Sequence, residues 1–261
     1  MNNVILADKP IGITPLEVVE TIKRKLTISD RKIGYAGRLD PMAEGLLLLL
    51  VEPETKNRSH YQNLPKTYVF EVLFGVATDT YDILGLITGF DPIRMSQNEL
   101  QDKLKSILPK FVGKSIQPYP AYSSKSVLGK SLFDWAKEGR LSEIEIPKKE
   151  IEIYSLSIMK IFTLNREEMY RRITQDIKLV AGEFRQQEII TSWTNFFGQN
   201  SIKSFHLARI KIKCGSGTYV RSIANDLGNV LGTKALAYRI KRTEVGDYKL
   251  KDAIKIKDLS K

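Results

Sequence analysis

The chain has 261 residues, of which 42% are hydrophobic and 27% are charged, so it is long enough to bury a sizeable core. Its single cysteine, Cys214, excludes an internal disulfide and a Cys-rich metal site, and two histidines, His60 and His206, leave too few ligands for a His-based metal centre. The formal net charge of +11 at pH 7 favours RNA or DNA as a partner.

The hydrophobic pattern predicts a succession of strands and helices. Two predicted helices start with a capping box, formed by Thr14 and Glu17 in the first and by Ser96 and Glu99 in the second. The predicted elements are, in chain order, a strand at 4–7, a helix from 14, a buried strand at 46–51, a helix at 55–64, a strand at 66–75, a polar turn at 78–82, a short strand at 84–88, a helix at 96–108, a strand at 149–161, a strand at 206–214, a glycine turn at 215–217 followed by a helix at 218–231, a strand at 237–245 and a short basic tail at 250–259.

Two stretches interrupt this order. Residues 114–146 are rich in proline, serine and glycine around a short amphipathic helix at 132–137, which predicts a loop-rich projection. Residues 165–200 are charged and helix-prone, which predicts a helical insertion between the two strands that flank them. The second of these strands alternates basic with apolar residues, so one of its faces is expected to be solvated and basic.

No basic-then-apolar leader opens the chain, and no apolar run approaches the roughly 20 residues of a membrane span. We therefore expect a cytoplasmic protein that has no membrane partner. The residue patterns also lack a metal-ligand cluster, a complete phosphate loop and a dinucleotide-binding loop. The sequence thus predicts no metal and no cofactor.

One acidic residue stands out in the stretch 35–51. Asp40 lies in a turn between small residues, and Pro41 restricts the backbone of both residues, so the carboxylate is held on a stiff support. The apolar run Leu46–Val51 that follows has the length of a buried strand. A charged group fixed at the edge of a buried strand is a candidate for catalysis, although an Asp-Pro pair is also common in ordinary turns.

The residues from Gly37 to Gly45 resemble the central motif of the TruB family of RNA pseudouridine synthases, G-x-L-D-P-x-A-x-G followed by an apolar strand. Further segments resemble motifs of the same family in the same order, over about residues 4–160 and 205–257. They are Lys9-Pro10 with Gly12, Lys66-Thr67-Tyr68, Thr78-Asp79-Thr80-Tyr81-Asp82 with Gly85, Tyr122-Ser123-Ser124 with Gly129-Lys130, Gly217-Thr218-Tyr219-Val220-Arg221-Ser222 with Asp226-Leu227-Gly228, and Tyr238-Arg239-Ile240-Lys241-Arg242-Thr243.

The resemblance implies an α+β fold of the pseudouridine synthase type, with a large mixed, mainly antiparallel sheet and flanking helices. It implies one catalytic domain over residues 1–261, in which about 114–146 form a thumb insertion that grips the tRNA T-loop. The stretch of about 165–200 has no counterpart in the family pattern and is expected to be an extra helical insertion. The C-terminal PUA module of many members is not expected, because the chain stops near Lys261.

The family motifs, carried over to this sequence, imply that Asp40 is the catalytic aspartate and Arg221 its partner. They imply that Tyr68 stacks on the flipped uracil and that Tyr219 and Ile240 line the uridine pocket. Without the resemblance, Tyr68 is interpreted as a core tyrosine, Arg221 as a charge on a helix surface, and Tyr219 and Ile240 as packing residues. The chemistry agrees with the carried-over roles, since turning uridine into pseudouridine needs no redox step, no phosphoryl transfer and no cofactor.

The chain departs from the family pattern at two positions near Asp40. Tyr35 stands where the family usually has a histidine and is expected to contact the substrate. Arg38 replaces a small residue and is expected to contact a phosphate. Other basic residues in the motifs are further candidates for contacts with RNA, and these are Lys9, Lys130, Lys241 and Arg242.

The resemblance implies a tRNA pseudouridine synthase that isomerises the T-loop uridine at tRNA position 55. We expect it to act as a monomer on the T-loop and T-stem. The alternative is a non-catalytic tRNA-binding or tRNA-folding protein on the same scaffold, and the presence of Asp40, Tyr68 and Arg221 argues against it. A basic nucleic-acid hydrolase would need a metal cluster or a second catalytic carboxylate, which the sequence does not supply.

Overall fold

The computed structural model describes residues 3–28 and 30–256. Its strands are β1 (Val4–Lys9), β2 (Ile33–Ala36), β3 (Ala43–Val51), β4 (Lys66–Phe74), β5 (Val76–Thr78), β6 (Ile87–Phe90), β7 (Gly113–Pro118), β8 (Ser126–Val127), β9 (Lys130–Ser131), β10 (Lys148–Asn165), β11 (Ser204–Cys214), β12 (Ala235–Val245), β13 (Tyr248–Lys249) and β14 (Ile254–Lys255). Its α-helices are α1 (Pro15–Lys25), α2 (Arg58–Asn63), α3 (Gln97–Ile107), α4 (Leu132–Lys137), α5 (Arg166–Lys178), α6 (Gln186–Gln199) and α7 (Val220–Leu231). No helix within the described ranges is long and apolar enough to cross a membrane.

One large mixed sheet organises the described part of the chain. Its strands follow the order β14-β1-β3-β12-β4-β11-β10-β7, with β2 paired to β3 and β13 paired to β12. The pairs β1–β14 and β3–β12 are parallel, and the other pairs of this sheet are antiparallel. The predicted α+β fold with a mainly antiparallel mixed sheet is therefore confirmed.

The leucine run of β3 is buried on both faces of this sheet. All five leucines from Leu46 to Leu50 are inaccessible to solvent. Leu47 and Leu49 pack with the apolar side of α1, whereas the even-numbered leucines pack on the opposite face with Val245. Because both faces of the strand are covered, its sequence is continuously apolar and does not alternate.

Both predicted capping boxes are present and fix the starts of α1 and α3. The Thr14 hydroxyl accepts a hydrogen bond from the backbone N–H of Glu17, and the Glu17 carboxylate accepts one from the backbone N–H of Thr14. Ser96 and Glu99 make the same reciprocal pair. These bonds satisfy N–H groups that would have no partner within the helix, so the two helices begin where the sequence predicts.

The helix-prone stretch 165–200 forms α5 and α6, which cover one face of the sheet. Their apolar residues pack with Leu73 of β4 and Leu236 of β12, while α3 and α7 pack on the opposite face. Trp193 of α6 is fully buried, and its indole N–H donates to the carbonyl of Ile83 over 3.1 Å. The two helices therefore contribute to the protein core.

Several strand predictions need correction. The strand predicted at 84–88 is β6, which starts three residues later where it pairs with β5. Strand β7 pairs with β10 at the sheet edge, although its composition suggested the start of a projection; a proline such as its Pro118 is tolerated at an edge. Strand β2 was not predicted, because four residues are too few to show an alternating pattern. Of the predicted tail 250–259, residues 257–259 lie outside the described residues.

We predict that Ile173→Ala lowers the free energy of unfolding of the whole protein by about 2–5 kcal/mol, because it leaves a cavity under α5. Ile173 is fully buried against the sheet. Denaturant unfolding followed by circular dichroism measures the change, with Val230→Ala, at a side chain that is 53% exposed, as the matched control. A separate unfolding transition for α5 and α6, with the main transition unchanged, would contradict this prediction.

Candidate active site

Asp40 lies in the turn that connects β2 to β3. The turn is closed by a hydrogen bond from the backbone N–H of Ala43 to the carbonyl of Asp40, and the carbonyl of Pro41 accepts a bond from the N–H of Gly12. Gly45 follows with φ of +104°, and a Cβ there would collide with the backbone carbonyl of Arg242 in β12. The carboxylate itself is 36% exposed. The turn is thus fixed by backbone contacts while its acidic group stays open to solvent.

The side chain of Arg221, at the start of α7, contacts this carboxylate. Its Nε lies 2.8 Å from Oδ2 of Asp40, and the Arg221 side chain is only 4% exposed. The other nitrogens donate to two backbone carbonyls, that of Thr80 at 2.6 Å and that of Tyr122 at 3.3 Å. Burial alone would lower the pKa of Arg221, but Asp40 and Asp82 outweigh it, so that the pKa lies above its ordinary value. The guanidinium is therefore a fixed charge with a fixed direction.

A second carboxylate, Asp82, lies behind Arg221. Its Oδ2 is 3.6 Å from the Arg221 Nε, and its Oδ1 accepts hydrogen bonds from the Thr80 hydroxyl and the Leu84 backbone N–H. Burial raises the pKa of Asp82 to about 6, and the nearby Arg221 acts in the opposite direction. Asp82 belongs to the turn that the sequence singled out as a family motif, but its place beside Arg221 was not predicted.

Two buried cations hold the turn that carries Asp40 from behind. Lys9 donates from Nζ to the carbonyls of Ala43 at 2.7 Å and Pro41 at 3.4 Å, and Arg242 donates to those of Gly37 and Leu46 at 3.0 and 2.7 Å. Their exposed fractions are 0% and 1%. The prediction that Lys9 and Arg242 contact RNA is therefore wrong, because their donors are engaged by the protein's own backbone. Burial lowers the pKa of Lys9 to about 8, against the opposing effect of Asp40.

The Asp40–Arg221 pair borders a cleft of about 920 Å³, near the upper end of the roughly 300–1,000 Å³ that is usual for ligand pockets. Eight residues predicted for the site border the cleft, and these are Tyr35, Arg38, Asp40, Tyr68, Tyr219, Arg221, Ile240 and the buried Arg242. Six basic and two acidic residues line it, so the cleft is positively charged and suits a polyanion.

Three tyrosines supply aromatic surface to the cleft. Tyr68, on β4, is partly buried, and burial raises its pKa, with a smaller contribution from Asp40. Tyr219 is held at its backbone by the Gln117 side chain, and its pKa is raised by burial first and by Asp40 next. Tyr35, on β2, lies under the guanidinium of Arg58, 5.5 Å from the ring centroid. Both shifts favour the protonated form of the two hydroxyls.

The remaining basic candidates lie in different surroundings. Arg38 is exposed at the cleft. Lys130 does not line the cleft but pairs with Glu138 and lies 5.0 Å from the centroid of the Trp135 ring. Lys241 pairs with Glu44, 3.5 Å away, and does not line the cleft either. Of these three, only Arg38 faces the same space as Asp40.

Sequence reasoning missed other residues of the cleft wall. Tyr122, Ser123 and Phe133 belong to the predicted projection, and Arg185 belongs to the predicted insertion. Lys66, quoted as part of a motif without a role, is buried and donates to the carbonyls of Gln62 and Leu64. Within residues 3–28 and 30–256, no group of three or more His, Cys, Asp or Glu residues is arranged to hold a metal ion.

Comparisons with known proteins identify related sequences over the whole chain. The family model described as "TruB family pseudouridylate synthase (N terminal domain)" matches residues 23–184. The tRNA pseudouridine synthase B of Caldicellulosiruptor saccharolyticus is 31% identical over 260 residues, which is 100% of this chain and 73% of that protein. The protein of the same name from Aquifex aeolicus is 32% identical over 259 residues, 99% of this chain and 73% of that protein.

Solved structures support the fold. A chain in the crystal structure of a Cbf5-Nop10-Gar1 complex has a TM-score of 0.59 and 20% identity, over 98% of this chain and 52% of that chain. The archaeal box H/ACA sRNP Nop10-Cbf5 complex gives a TM-score of 0.56 at the same identity and coverage. The fold, the cleft and the matched sequences define a pseudouridine synthase, an enzyme that isomerises uridine in RNA. Within that class, the chain belongs to the TruB family of pseudouridylate synthases.

We predict that the stabilisation associated with protonated Asp82 is complete below about pH 4 and is lost as the pH rises through about 6. The sign follows from the direction of the shift: folding raises the pKa of Asp82 from 3.8 to about 6, so the folded state binds its proton more tightly than the unfolded state.

The measurement is the difference in the free energy of unfolding between the wild-type protein and Asp82→Asn, which stays neutral at every pH. From pH 4 to 7 the wild-type value should fall by roughly 1–3 kcal/mol relative to the variant. The prediction is contradicted if the free energy of unfolding of the wild-type protein minus that of Asp82→Asn stays constant between pH 4 and 7, or increases with pH.

Proposed function

We propose that the protein converts the uridine at position 55 in the T-loop of tRNA to pseudouridine, with Asp40 as the catalytic residue. The observation that carries this proposal is the Asp40 carboxylate, which is open to a basic cleft and lies 2.8 Å from a buried arginine. The substrate class is supported by relatives named tRNA pseudouridine synthase B that align over the whole chain.

The reaction breaks the N1–C1′ bond of uridine, turns the detached ring and forms a C5–C1′ bond, after which the proton at C5 is lost and N1 gains one. No atoms are gained or lost overall. An ionised carboxylate can serve as a nucleophile, at ribose C1′ or at the uracil ring, or as a base toward the ribose C2′ proton. Asp40 has the necessary access to the cleft, and the ion pair with Arg221 fixes its direction.

The target uridine must leave its stack to reach Asp40. The aromatic ring of Tyr68 is the proposed platform for the flipped base, and stacking on such a ring contributes about 1–3 kcal/mol. Tyr219 and Ile240 are the proposed remaining walls of the uridine pocket, and Tyr35 is proposed to contact the substrate in place of the histidine usual in the family. All four side chains border the same cleft as Asp40.

The RNA backbone is proposed to bind along the basic cleft. Arg38 is the best-placed phosphate contact, because it is exposed beside Asp40, and Lys130 and Lys241 are proposed as contacts outside the uridine pocket. Residues of about 114–146 are the proposed thumb, supported by Tyr122, Ser123 and Phe133 in the cleft wall. We propose a monomer, since one chain supplies every residue of this site, and a cytoplasmic location alongside the tRNA substrate.

We predict that Asp40→Asn lowers the rate of pseudouridine formation at least about 1,000-fold, because the amide cannot act as the nucleophile or base. Affinity for tRNA should stay within about threefold of wild type, because the amide keeps the shape of the carboxylate. The measurement is pseudouridine in a T-loop transcript by mass spectrometry after incubation with purified protein. The matched control is Glu150→Gln, which removes a carboxylate outside the cleft. A wild-type protein that binds tRNA without modifying it would favour the non-catalytic alternative.

A further inference from the structure

The connection between α5 and α6 forms part of the active-site wall. This connection, residues 179–185, is called here the insertion loop. Phe184 and Arg185 of the insertion loop line the cleft that Asp40 faces. The Phe184 ring contacts the Phe133 ring edge to face, at 6.4 Å between centroids. The predicted insertion therefore reaches the catalytic cleft as well as the core.

The insertion loop is held in one shape by its own contacts. The Gln186 side chain accepts a hydrogen bond from the backbone N–H of Phe184 and donates to the carbonyls of Val180 and Gly182. Arg185 has φ of +60°, a left-handed conformation that turns the chain into α6. A non-glycine residue adopts this conformation only where its surroundings stabilise it.

The loop also packs against the segment that supports the catalytic turn. The backbone N–H of Ala181 donates to the carbonyl of Gly12 at 2.8 Å, and the N–H of Gly12 donates to the carbonyl of Pro41 at 2.9 Å. Gly12 has φ of +97°, and a Cβ there would collide with the backbone of Leu179. The insertion loop and the turn that carries Asp40 are thus joined through one glycine.

Arg185 links two segments on the opposite side of the site. Its guanidinium lies 2.9 Å from Oδ2 of Asp79, in an ion pair whose side chains are both mostly buried. The same guanidinium stacks over the Tyr122 ring at 4.4 Å from the centroid. Burial, and next the charge of Asp79, raise the pKa of Tyr122 to about 12, with Arg185 opposing them. Arg185, Asp79 and Tyr122 form one compact cluster.

These two segments are the ones that orient Arg221. Asp79 is adjacent to Thr80, whose carbonyl accepts the 2.6 Å hydrogen bond from Arg221. Tyr122 supplies the other backbone acceptor, at 3.3 Å. The contacts therefore run without a break from Arg185, through Asp79 and Tyr122, to Arg221 and Asp40.

We propose that Arg185 is a positioning residue of this active site: by clamping Asp79 to Tyr122 it holds the two carbonyls that direct Arg221 toward Asp40. The inference rests on the proposed function, because its effect is read in the rate of pseudouridine formation. Arg185 acts through other residues and touches no reacting atom. The insertion thereby supplies part of the catalytic geometry to a fold whose proposed catalytic and substrate-binding residues lie outside it.

The balance of charges in the insertion favours this positioning role over nonspecific binding of RNA. Residues 166–200 contain five basic and five acidic side chains, so the insertion as a whole has no excess positive charge. Binding to the phosphate backbone depends on such an excess. The guanidinium of Arg185 already forms an ion pair with Asp79 and lies over the ring of Tyr122.

The test is steady-state kinetics of Arg185→Gln on a T-loop transcript. We expect kcat to fall about 10- to 100-fold, as misplacement of a catalytic group by about 1 Å would cause, while KM stays within about threefold of wild type. Arg185→Lys, which keeps the charge beside Asp79 and over the Tyr122 ring, should recover part of the lost kcat. Arg171→Gln is the matched control, since Arg171 is exposed on α5 and contacts Gln175 within the same helix.

A second variant breaks the same ion pair from the other side, so that loss of this contact can be distinguished from misfolding of Arg185→Gln. Asp79→Asn keeps the oxygen that accepts from the Leu86 N–H and removes the charge that pairs with Arg185, so it should lower kcat in the same way. The double variant should be no slower than the slower single variant. Unchanged kcat in both single variants, or a raised KM at unchanged kcat, would overturn the proposal, the second result by making Arg185 an RNA contact. An inactive wild-type protein would instead overturn the proposed function.

Discussion

The site depends on one buried guanidinium, which is hydrogen-bonded to two backbone carbonyls and ion-paired with two carboxylates. Arg221 faces the Asp40 carboxylate at 2.8 Å, the Asp82 carboxylate at 3.6 Å and the carbonyls of Thr80 and Tyr122 at 2.6 and 3.3 Å. These partners come from three parts of the chain, since Thr80 and Asp82 belong to one turn, and a planar group with several fixed donors can face them all. The direction of the Asp40 carboxylate is therefore set by contacts made far from it in the sequence.

The turn that carries Asp40 is fixed equally firmly from the side of the sheet. Lys9 and Arg242 are buried cations, and each donates to one backbone carbonyl within this turn and to one in the β3 strand that follows it. Burying a charge is costly unless it is hydrogen-bonded, and here the bonds that offset the cost also immobilise the loop. Together with the glycine contacts at positions 12 and 45, they hold the Asp40 carboxylate at the cleft.

Much of the fold could be predicted from local sequence patterns, whereas predicting the site also required the resemblance to a known family. The capping boxes, the leucine strand and the helical stretch 165–200 could be predicted because they are set by nearby residues. The convergence of Asp40, Tyr68 and Arg221 on one cleft was accessible only through the motif resemblance, since no spacing rule relates residues so far apart. A motif also contained Asp82, without indicating its role.

One wrong prediction, which concerns two residues, and one missed residue have clear physical reasons. Lys9 and Arg242 were expected to contact RNA because they are basic residues within the matched motifs; the backbone carbonyls that bind their side chains inside the protein cannot be inferred from sequence. Arg185 gave no signal, because it lies in a segment without motifs and gains its place only when α5 and α6 pack on the sheet. Tertiary packing, and not local sequence, decides all three positions.

The most direct test of the central claim is single-turnover pseudouridine formation by Arg221→Lys with saturating T-loop RNA. Lysine keeps the positive charge but cannot reach the two carbonyls and the carboxylate in one planar arrangement. The account predicts a rate at least about 100-fold below wild type, with RNA affinity unchanged, since orientation and not charge alone would be lost. A rate equal to that of the wild-type protein would contradict it.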